Sequence, residues 1–349
     1  ANAGQPTVHW LSARVSDYAT AAANTRVDTR INATFYPLTF YVYESGDPRQ
    51  IGSYTRYQYR PGSMYRRRLP AGAESTVSQF DWGGGRSLAQ EVANFANWFQ
   101  YYRSRMLAVK AGSSLAFAEL GTEFRVGLAT INLRGSSNSE LAVPQAGDFS
   151  GQNRQRFFDA LLGMPLYPRG TPLRGALAWA GNNYQQNYWR DSVSCRRAFT
   201  ILATDGYWNG DADIDSGNRF GNADGSYTQP YRDSYANTLA DVAMYYWKTD
   251  LSSLKDTVTA LPGNPQTQQH MTTFGLSLGA RGKLDPARDL AALSPPNATL
   301  AWPDPVAANP HKIDDLWHAT VNSRGSFASA ADPEQFRKGL VNSLSDISR

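Results

Sequence analysis

Two short, largely apolar runs constrain the fold of this chain more than any other feature. Residues Ala198–Thr204 read AFTILAT, and residues Met271–Leu278 read MTTFGLSL. Runs of this length without polar alternation are typical of strands that are buried on both faces, as in parallel sheets. Segments whose apolar residues recur at three- and four-residue steps lie before, between and after them, which is typical of amphipathic helices.

Predicted strands and helices alternate from residue 88 onward. Strands are predicted over residues 124–133, 198–204, 271–278 and 325–330, and helices over residues 88–109, 152–162, 171–182, 238–248, 314–322 and 333–347. This alternation predicts an α/β fold with a doubly wound, mostly parallel sheet that helices cover on both faces. Ligands of such folds bind at the carboxyl ends of the strands, so functional residues are expected there.

Residues 1–87 have a different pattern, rich in aromatic and β-branched residues. The runs FYPLTFYVYE at residues 35–44 and YTRYQYR at residues 54–60 end at turns that contain Pro and Gly, which predicts a β-hairpin or small sheet. Ser87 is the predicted N-cap of the long helix that follows. We therefore divide the chain into a β-rich variable region, residues 1–87, and an α/β domain, residues 88–349.

The charge balance gives little reason to expect a nucleic-acid partner. Lys and Arg number 34 against 30 Asp and Glu, a formal charge of +4, and part of the excess comes from arginines at residues 56–68. Tyrosines interleave with these arginines, as on some nucleic-acid-binding surfaces, but a solvated hairpin with Arg–Tyr stacking explains the same pattern. No stretch approaches the roughly 20 apolar residues that a membrane-spanning helix needs.

Known catalytic motifs are not found in the sequence. The four histidines (His9, His270, His311 and His318) form no pair with metal-binding spacing, and neither G-x-S-x-G nor a phosphate-binding G-x-x-x-x-G-K occurs. Cys195 adjoins two arginines but has no evident histidine partner. His318, on a predicted helix, is interpreted as a packing residue. We expect a protein that is not an enzyme.

Two short motifs are candidates for a cation site at the sheet edge. Asp205 follows an apolar strand and precedes Gly206, so its carboxylate is expected at the carboxyl end of the sheet, where it suits Mg²⁺ or Ca²⁺. A turn at the Asp-Gly pair explains the same residues. Thr171 precedes Pro172, and the pair reads as the N-cap and first residue of a helix. The Thr171 hydroxyl could also face an ion above the sheet.

A second candidate cation site is the acidic segment that contains Asp211, Asp213 and Asp215. Carboxylates at these alternating positions resemble the start of a calcium-binding loop. Ser216 stands where such a loop has glycine, and no glutamate follows at the twelfth position. An exposed acidic loop is the alternative that these departures favour.

Longer blocks of sequence resemble one protein family. From about residue 88 onward, the chain is similar to the PilY family of type IV pilus assembly and tip proteins. The similar blocks, which occur in the same order as in the family, are ANFANWFQYYRSRMLAVKAG, CRRAFTILATDGYWNG, NTLADVAMYYWKTDL, QHMTTFGLSLG, DDLWHATVNSRG and SFASAADPEQF. Residues 1–87 resemble the variable insertion of that family more loosely, mainly through TFYVYESGDP.

The resemblance implies a von Willebrand factor A domain with a six-stranded sheet. Residues 1–87 would be its insertion, and its first strand would lie upstream of residue 1. The implied protein is extracellular, at the pilus tip on the bacterial surface, and binds minor pilins and a host or abiotic surface receptor. It would support pilus assembly, attachment, twitching motility, surface sensing and virulence.

The resemblance also implies a metal-ion-dependent adhesion site, to which Thr171 and Asp205 correspond as the second and third elements. Its first element, D-x-S-x-S, is not found. Residues 148–152 read DFSGQ, with Gln152 in place of the final serine, and residues 191–194 read DSVS, with the serines wrongly placed. In the family this element lies upstream of the start of the present chain. We therefore expect an incomplete site for Mg²⁺ or Ca²⁺, which binds the ion weakly or not at all.

Two alternatives to an adhesin remain open. One is a metal-assisted hydrolase that uses Asp205 and the acidic segment 211–215. The other is a structural plug at the pilus tip that has no ligand of its own.

Overall fold

The computed structural model describes residues 7–14, 26–33, 36, 38–60, 62–78, 85–132, 147–164, 170–210, 214, 219–294, 296 and 298–348. The chain divides into two compact units, unit 1 at Ala1–Arg103 and unit 2 at Ser104–Arg349. None of the helices in this described part is long and apolar enough to cross a membrane.

Unit 1 contains two antiparallel sheets. The first pairs β1 (Thr7–Arg14) with β2 (Arg26–Ala33). The second has four strands in the order β3 (Thr39–Tyr43), β4 (Tyr54–Arg60), β5 (Ser63–Arg68) and β6 (Glu74–Val77). A short 3₁₀ turn at Ile51–Ser53 leads into β4. The strands predicted within residues 35–44 and 54–60 are therefore confirmed as neighbours in one sheet.

Helix α1 (Leu88–Tyr101) supplies the other half of the core of the four-stranded sheet. Leu38, Tyr57 and Met64 are buried, and apolar residues in the first two turns of α1 pack against them. The predicted N-cap is confirmed, because the Ser87 hydroxyl accepts from the Gln90 amide while the Gln90 side chain accepts from the Ser87 amide.

The long helix predicted over residues 88–109 is two helices, and this is a correction. Helix α1 ends at Tyr101, and α2 (Arg105–Ala118) begins after Ser104, whose hydroxyl accepts a hydrogen bond from the Leu107 amide. A serine in that role stabilises a new helix start more than a continuous helix. The apolar period of the sequence continues across the break, which explains why periodicity alone predicts one helix.

Unit 2 is built on a parallel sheet of three described strands, in the order β7 (Ala198–Thr204), β8 (Met271–Leu278) and β9 (Phe327–Ala330). In register, Ala198 lies opposite Met271 and Gly275 opposite Phe327. Every residue of the central strand β8 is buried. The predicted bounds of β7 and β8 are confirmed to the residue.

Helices connect these strands. They are α3 (Gly151–Gly163), α4 (Leu173–Asn183), α5 (Leu239–Lys248), α6 (Pro286–Leu293), α7 (His311–Asn322) and α8 (Pro333–Ile347), with a π-helical turn at Tyr184–Tyr188 after α4. The sequence pattern predicts all of them except α6, whose eight residues are too few to show a clear period.

Both faces of the parallel sheet are covered. Leu202 and Met271 pack with residues of α4, α5 and α7 in one apolar cluster. Leu276 and Leu278 of β8 pack with residues of α2, α3 and α8 in another. Because alternate residues of a strand face opposite sides, the two clusters lie on opposite faces. The prediction of an α/β fold with a parallel sheet is confirmed at this level.

The strand predicted over residues 124–133 is wrong over its described part. Residues 124–132 form no ladder, and Leu128 alone makes a bridge. Phe124, Val126 and Leu128 are instead half-buried against the cluster of α2, α3 and α8. An alternating pattern of apolar and polar residues indicates that every second side chain packs against a core. An irregular segment that lies across a core can produce this pattern as well as a strand can.

Candidate functional site

Asp205 lies at the carboxyl end of β7, as predicted. The Thr204 hydroxyl donates to the Gly206 carbonyl and accepts from the Gly206 amide, which holds the turn on which Asp205 is exposed. The Arg105 guanidinium approaches the Asp205 carboxylate at 3.4 Å, with both side chains more than half exposed. An ion pair this exposed contributes little stability, so the Asp205 carboxylate remains available to a ligand.

Thr171 is joined to the loop that follows Asp205. The Thr171 amide donates to Asn209 Oδ1 at 2.7 Å, and the Asn209 amide donates to the Thr171 carbonyl at 3.2 Å. The prediction that Thr171 is the N-cap of this helix is wrong. Helix α4 begins at Leu173, so Pro172 occupies the cap position, and no side chain caps the helix. The Asn209 contacts hold the Thr171 backbone outside the helix. A cation shared by Thr171 and Asp205 stays a prediction.

The acidic segment is only partly described. Asp211, Asp213 and Asp215 lie outside the described residues. Ile214, between them, is fully buried in the cluster with α4, α5 and α7. The hypothesis of a calcium-binding loop in this segment therefore stays a prediction.

A different group of ionisable side chains is buried together in unit 2. Asp224, Asp233 and His318 each offer one ligand atom, and these atoms lie within 4.8 Å of one another. The side chains of Asp224 and His318 are 0% and 1% exposed, and that of Asp233 is 5% exposed. Such a group could hold a metal ion.

Loop 220–237 brings the two aspartates together. The Asn237 side chain closes the neck of the loop by accepting from the Phe220 and Gly221 amides, each at 3.1 Å. Inside the loop, Asp224 Oδ1 accepts from the Asp233 amide at 3.1 Å. Because the carboxylate of one aspartate is bonded to the backbone of the other, the two side chains are held close despite their separation in sequence.

His318 reaches this loop from helix α7. Its Nδ1 lies 3.3 Å from an Asp233 carboxylate oxygen, and its Nε2 lies 3.6 Å from Asp224 Oδ2. The imidazole stacks on the Trp302 ring, with centroids 4.2 Å apart and planes 13° apart. His318 Nε2 is buried and makes no hydrogen bond. The ring is thus fixed between two carboxylates while one of its nitrogens remains unsatisfied.

Burial governs the electrostatics of the surrounding aspartates. Burial raises the pKa of Asp224, and His318 opposes that rise. Burial also raises the pKa of Asp241 to about 7 and that of Asp315 to about 6. Asp241 caps α5 with Thr238, and Asp315 accepts from the first amides of that helix. The positive end of the helix dipole lies beside both carboxylates.

A cleft of about 570 Å³ adjoins the buried group. Asp233 and Trp302 line it, together with Thr228, Gln229, Arg232, Ser234, Tyr235, Pro296, Ala298 and Ala301. Asp233 therefore belongs both to the buried group and to the wall of an open cleft.

Sequence reasoning missed this group. His318 is interpreted above as a packing residue, which its stacking on Trp302 supports, but its contacts with the aspartates have no local signal. Asp224 and Asp233 stand apart in a loop without a metal-binding spacing. The available hint is a histidine within the mostly apolar run LWHATV, which is followed four residues after the histidine by Asn322, a residue that also contacts Asp224.

Comparisons with known proteins identify relatives. The factor from Pseudomonas aeruginosa strain PAK named type IV pilus biogenesis factor PilY1 is 32% identical over 83% of this chain and 31% of its own length. Proteins of the same name from strains PAO1 and UCBPP-PA14 are 33% and 34% identical, each over 74% of the chain and 26% of their own length. The chain thus spans less than a third of these relatives. No family model and no solved structure matches.

Proposed function

The chain belongs to the PilY1 family of type IV pilus biogenesis factors, and from this premise we propose that it contributes to pilus assembly as a partner-binding part of such a factor. The observation that carries the proposal is the identity of about one residue in three along 83% of the chain. A likeness of that extent supports a shared role as well as a shared fold.

We propose further that residues 88–349 form a domain of the von Willebrand factor A type, with residues 1–87 as its insertion. Three features support this. Strand β8 is central and buried, helices cover both faces of the parallel sheet, and Asp205 lies at the carboxyl end of β7. The bonds between Thr171 and Asn209 bring the start of α4 to the same loop.

The carboxyl edge of this sheet is the surface that we propose for partner binding. Asp205 and Asn209 are exposed there, so polar groups of a partner have access to both. Minor pilins at the pilus tip and a surface receptor are the partners proposed for this edge and for residues 1–87. An extracellular location, surface attachment, twitching motility and surface sensing follow from the same proposal.

A metal-assisted hydrolase is the alternative that we do not favour. The relatives bear the name of type IV pilus biogenesis factors, which gives no support to a hydrolase. Turnover of simple esters with added divalent ions, lost on replacing Asp205, would support that alternative.

The proposed function can be tested by complementation. The gene is deleted in the bacterium of origin and restored as wild type, as Asp205→Ala, or without residues 34–69. We expect wild type to restore surface pili, and the two variants to be made in equal amount but to capture less minor pilin. Full piliation of the deletion strain, with no gene restored, would contradict a role in biogenesis.

A further inference from the structure

We infer that Asp224, Asp233 and His318 form a binding site for one divalent transition-metal cation, of the class of Zn²⁺ or Mn²⁺. The site uses none of the residues predicted for the sheet edge. It combines two carboxylates and one imidazole, whose ligand atoms lie within 4.8 Å of one another. The inference rests on the unsatisfied imidazole nitrogen, the charge balance and the chemistry of the donors.

The unsatisfied nitrogen is the first argument. His318 is 1% exposed, and its Nε2 points at Asp224 Oδ2 from 3.6 Å without a hydrogen bond. A neutral imidazole whose Nε2 lone pair faces a carboxylate is repelled by it, and a buried acceptor without a partner costs about 1–3 kcal/mol. A cation between Nε2 and the carboxylates removes both penalties.

A second unsatisfied acceptor lies on the same face of α7. Asn322 stands one helical turn after His318, and its Nδ2 donates to Asp224 Oδ2 at 2.8 Å. The Asn322 Oδ1 atom is buried and has no hydrogen-bond partner. The groups around Asp224 therefore contain more acceptors than the surrounding protein donors satisfy.

Charge balance is the next argument. Asp224 and Asp233 place two acidic groups close together in one buried site, where their negative charges repel each other when both are ionised. A divalent cation between the two carboxylates offsets that repulsion. Two cationic side chains of unit 2 bond to backbone carbonyls, since Lys248 Nζ donates to the Ala223 carbonyl and Arg324 donates to the Val321 and Asn322 carbonyls.

The donor set selects the class of metal. Mg²⁺ and Ca²⁺ take oxygen ligands almost exclusively, whereas an imidazole together with carboxylates suits Zn²⁺, Mn²⁺ and related ions. The Trp302 ring stacks on the His318 imidazole and fixes its orientation. The Tyr235 amide donates a hydrogen bond to Asp233 Oδ1 at 2.7 Å. Orientation of this kind by surrounding groups is usual for ligands of bound metals.

The position of the site suggests what the cation does. Asp224 and Asp233 belong to loop 220–237, while His318 belongs to helix α7, so one ion ties the loop to the helix. Asp233 also lines the cleft of about 570 Å³, through which an ion can enter. A metal that binds only the folded chain stabilises it, and the loop beside the cleft is the part that it holds.

The test is titration of the purified, metal-free 349-residue chain with Zn²⁺, Mn²⁺ and Co²⁺, with Mg²⁺ and Ca²⁺ for comparison. We expect one Zn²⁺ or Mn²⁺ per chain by calorimetry and a rise in melting temperature. Co²⁺ should give the visible absorption of a nitrogen- and oxygen-coordinated ion. Absence of binding by all three ions would overturn the inference.

Matched variants locate the bound ion. Asp233→Asn should weaken binding by at least roughly 10- to 100-fold, because that is the range for loss of a group that only orients a ligand, and Asp233 is proposed as a ligand itself. Asp250→Asn is the control. The Asp250 carboxylate accepts a hydrogen bond from the amide two residues later, as the Asp233 carboxylate does, but Asp250 lies outside the site. Equal affinity of wild type and Asp233→Asn would place the ion elsewhere and contradict the assignment.

Failure of a variant to fold would not obscure the result. Far-ultraviolet circular dichroism of each variant precedes the titration, and Asp224→Asn replaces Asp233→Asn if the latter is unfolded. The Co²⁺ spectrum is an independent test that uses the wild-type chain alone. Imidazole coordination shifts the absorption of bound Co²⁺ from that of the hydrated ion. An unshifted spectrum would count against the site.

Discussion

At the scale of single residues, Asp315 shows how one buried carboxylate can organise an element. Its two oxygens accept from the Leu239 and Ala240 amides at the start of α5, each at 3.0 Å, and from Trp208 Nε1 at 2.9 Å. Two of these three donors are amides of the first helical turn, which have no partner within the helix. The same burial raises the pKa of Asp315 to about 6, so its stabilising effect depends on pH.

The pH dependence of unfolding should report Asp315. Its folded pKa of about 6 is raised above the ordinary value of 3.8, so the folded chain binds more protons between these values and loses stability as pH rises through them. Asp315→Asn should lower the free energy of unfolding by ~1–3 kcal/mol and flatten its slope between pH 4 and 6, since three donors then face one oxygen. Urea titrations at several pH values measure both.

Asp250→Asn serves as control for that experiment, because Asp250 is exposed. It should leave both the stability and the slope near wild type. An unchanged slope in Asp315→Asn would show that Asp315 is ionised throughout this range in the folded chain.

The sheet edge gives another prediction at this scale. If Asp205 and Thr171 belong to an adhesion site, as the resemblance implies, roughly half of its protein ligands are missing, because no D-x-S-x-S element is found in the sequence. Mg²⁺ tolerates poor geometry badly. We expect calorimetry to detect weak or no Mg²⁺ binding, in wild type and in Asp205→Ala alike. Tight Mg²⁺ binding that Asp205→Ala abolishes would reveal a first element that we have not recognised.

At the scale of elements, close packing of α4 on α5 depends on a missing side chain. A Cβ atom at Gly181 of α4 would lie 2.4 Å from ring atoms of Tyr246. The Tyr246 hydroxyl bonds Asn182 Oδ1 at 2.8 Å and the Ala178 carbonyl at 3.1 Å, so the ring is held in place. Contact between these helices therefore requires glycine at this point.

Replacing Gly181 by alanine should force the two helices apart. We expect a loss of about 1–3 kcal/mol in the free energy of unfolding, the usual cost of overpacking, in spite of the better helix propensity of alanine. Gly163→Ala at the end of α3 is the matched control, because no atom of the described residues lies within 4 Å of its added Cβ atom. Equal urea midpoints for the two variants would contradict the contact.

At the scale of the whole molecule, each compact unit has an apolar core of its own. Leu38, Tyr57 and Met64 centre the core of unit 1, and separate clusters fill the two faces of the parallel sheet in unit 2. Each core is built from residues on one side of the boundary at residues 103 and 104. The boundary lies after helix α1, whose apolar residues belong to the core of unit 1, whereas the predicted division lies before that helix. That residues 1–87 form an insertion that can change without loss of the α/β core stays a prediction.

Removal of residues 34–69 should leave unit 2 folded. The deletion takes away strands β3, β4 and β5, whereas the described apolar clusters on the two faces of the parallel sheet contain no residue of this segment. We expect the thermal transition of unit 2 to persist within a few degrees, and Leu316→Ala, at a fully buried position of α7, to lower that transition specifically. Loss of all cooperative unfolding in the deletion variant would place residues 34–69 in the core.

The sequence by itself determined the elements whose signals are local. The bounds of β4, β7, β8 and α8 follow from apolar runs, turn residues and caps that are adjacent in the chain. Periodicity and capping act over one or two turns, so they can be read without knowledge of distant contacts. The α/β class follows in the same way from the order of these elements.

Only the tertiary structure decided which distant groups meet. Residues 124–132 pack across a core without joining the sheet, and Thr171 is held by Asn209 instead of capping α4. Asp224 and Asp233 reach His318 through a loop closed at its neck and a helix that follows much later. These contacts depend on how the elements pack in three dimensions. The free energy of burying a carboxylate or an imidazole depends on the groups that this packing places around it more than on its neighbours in sequence.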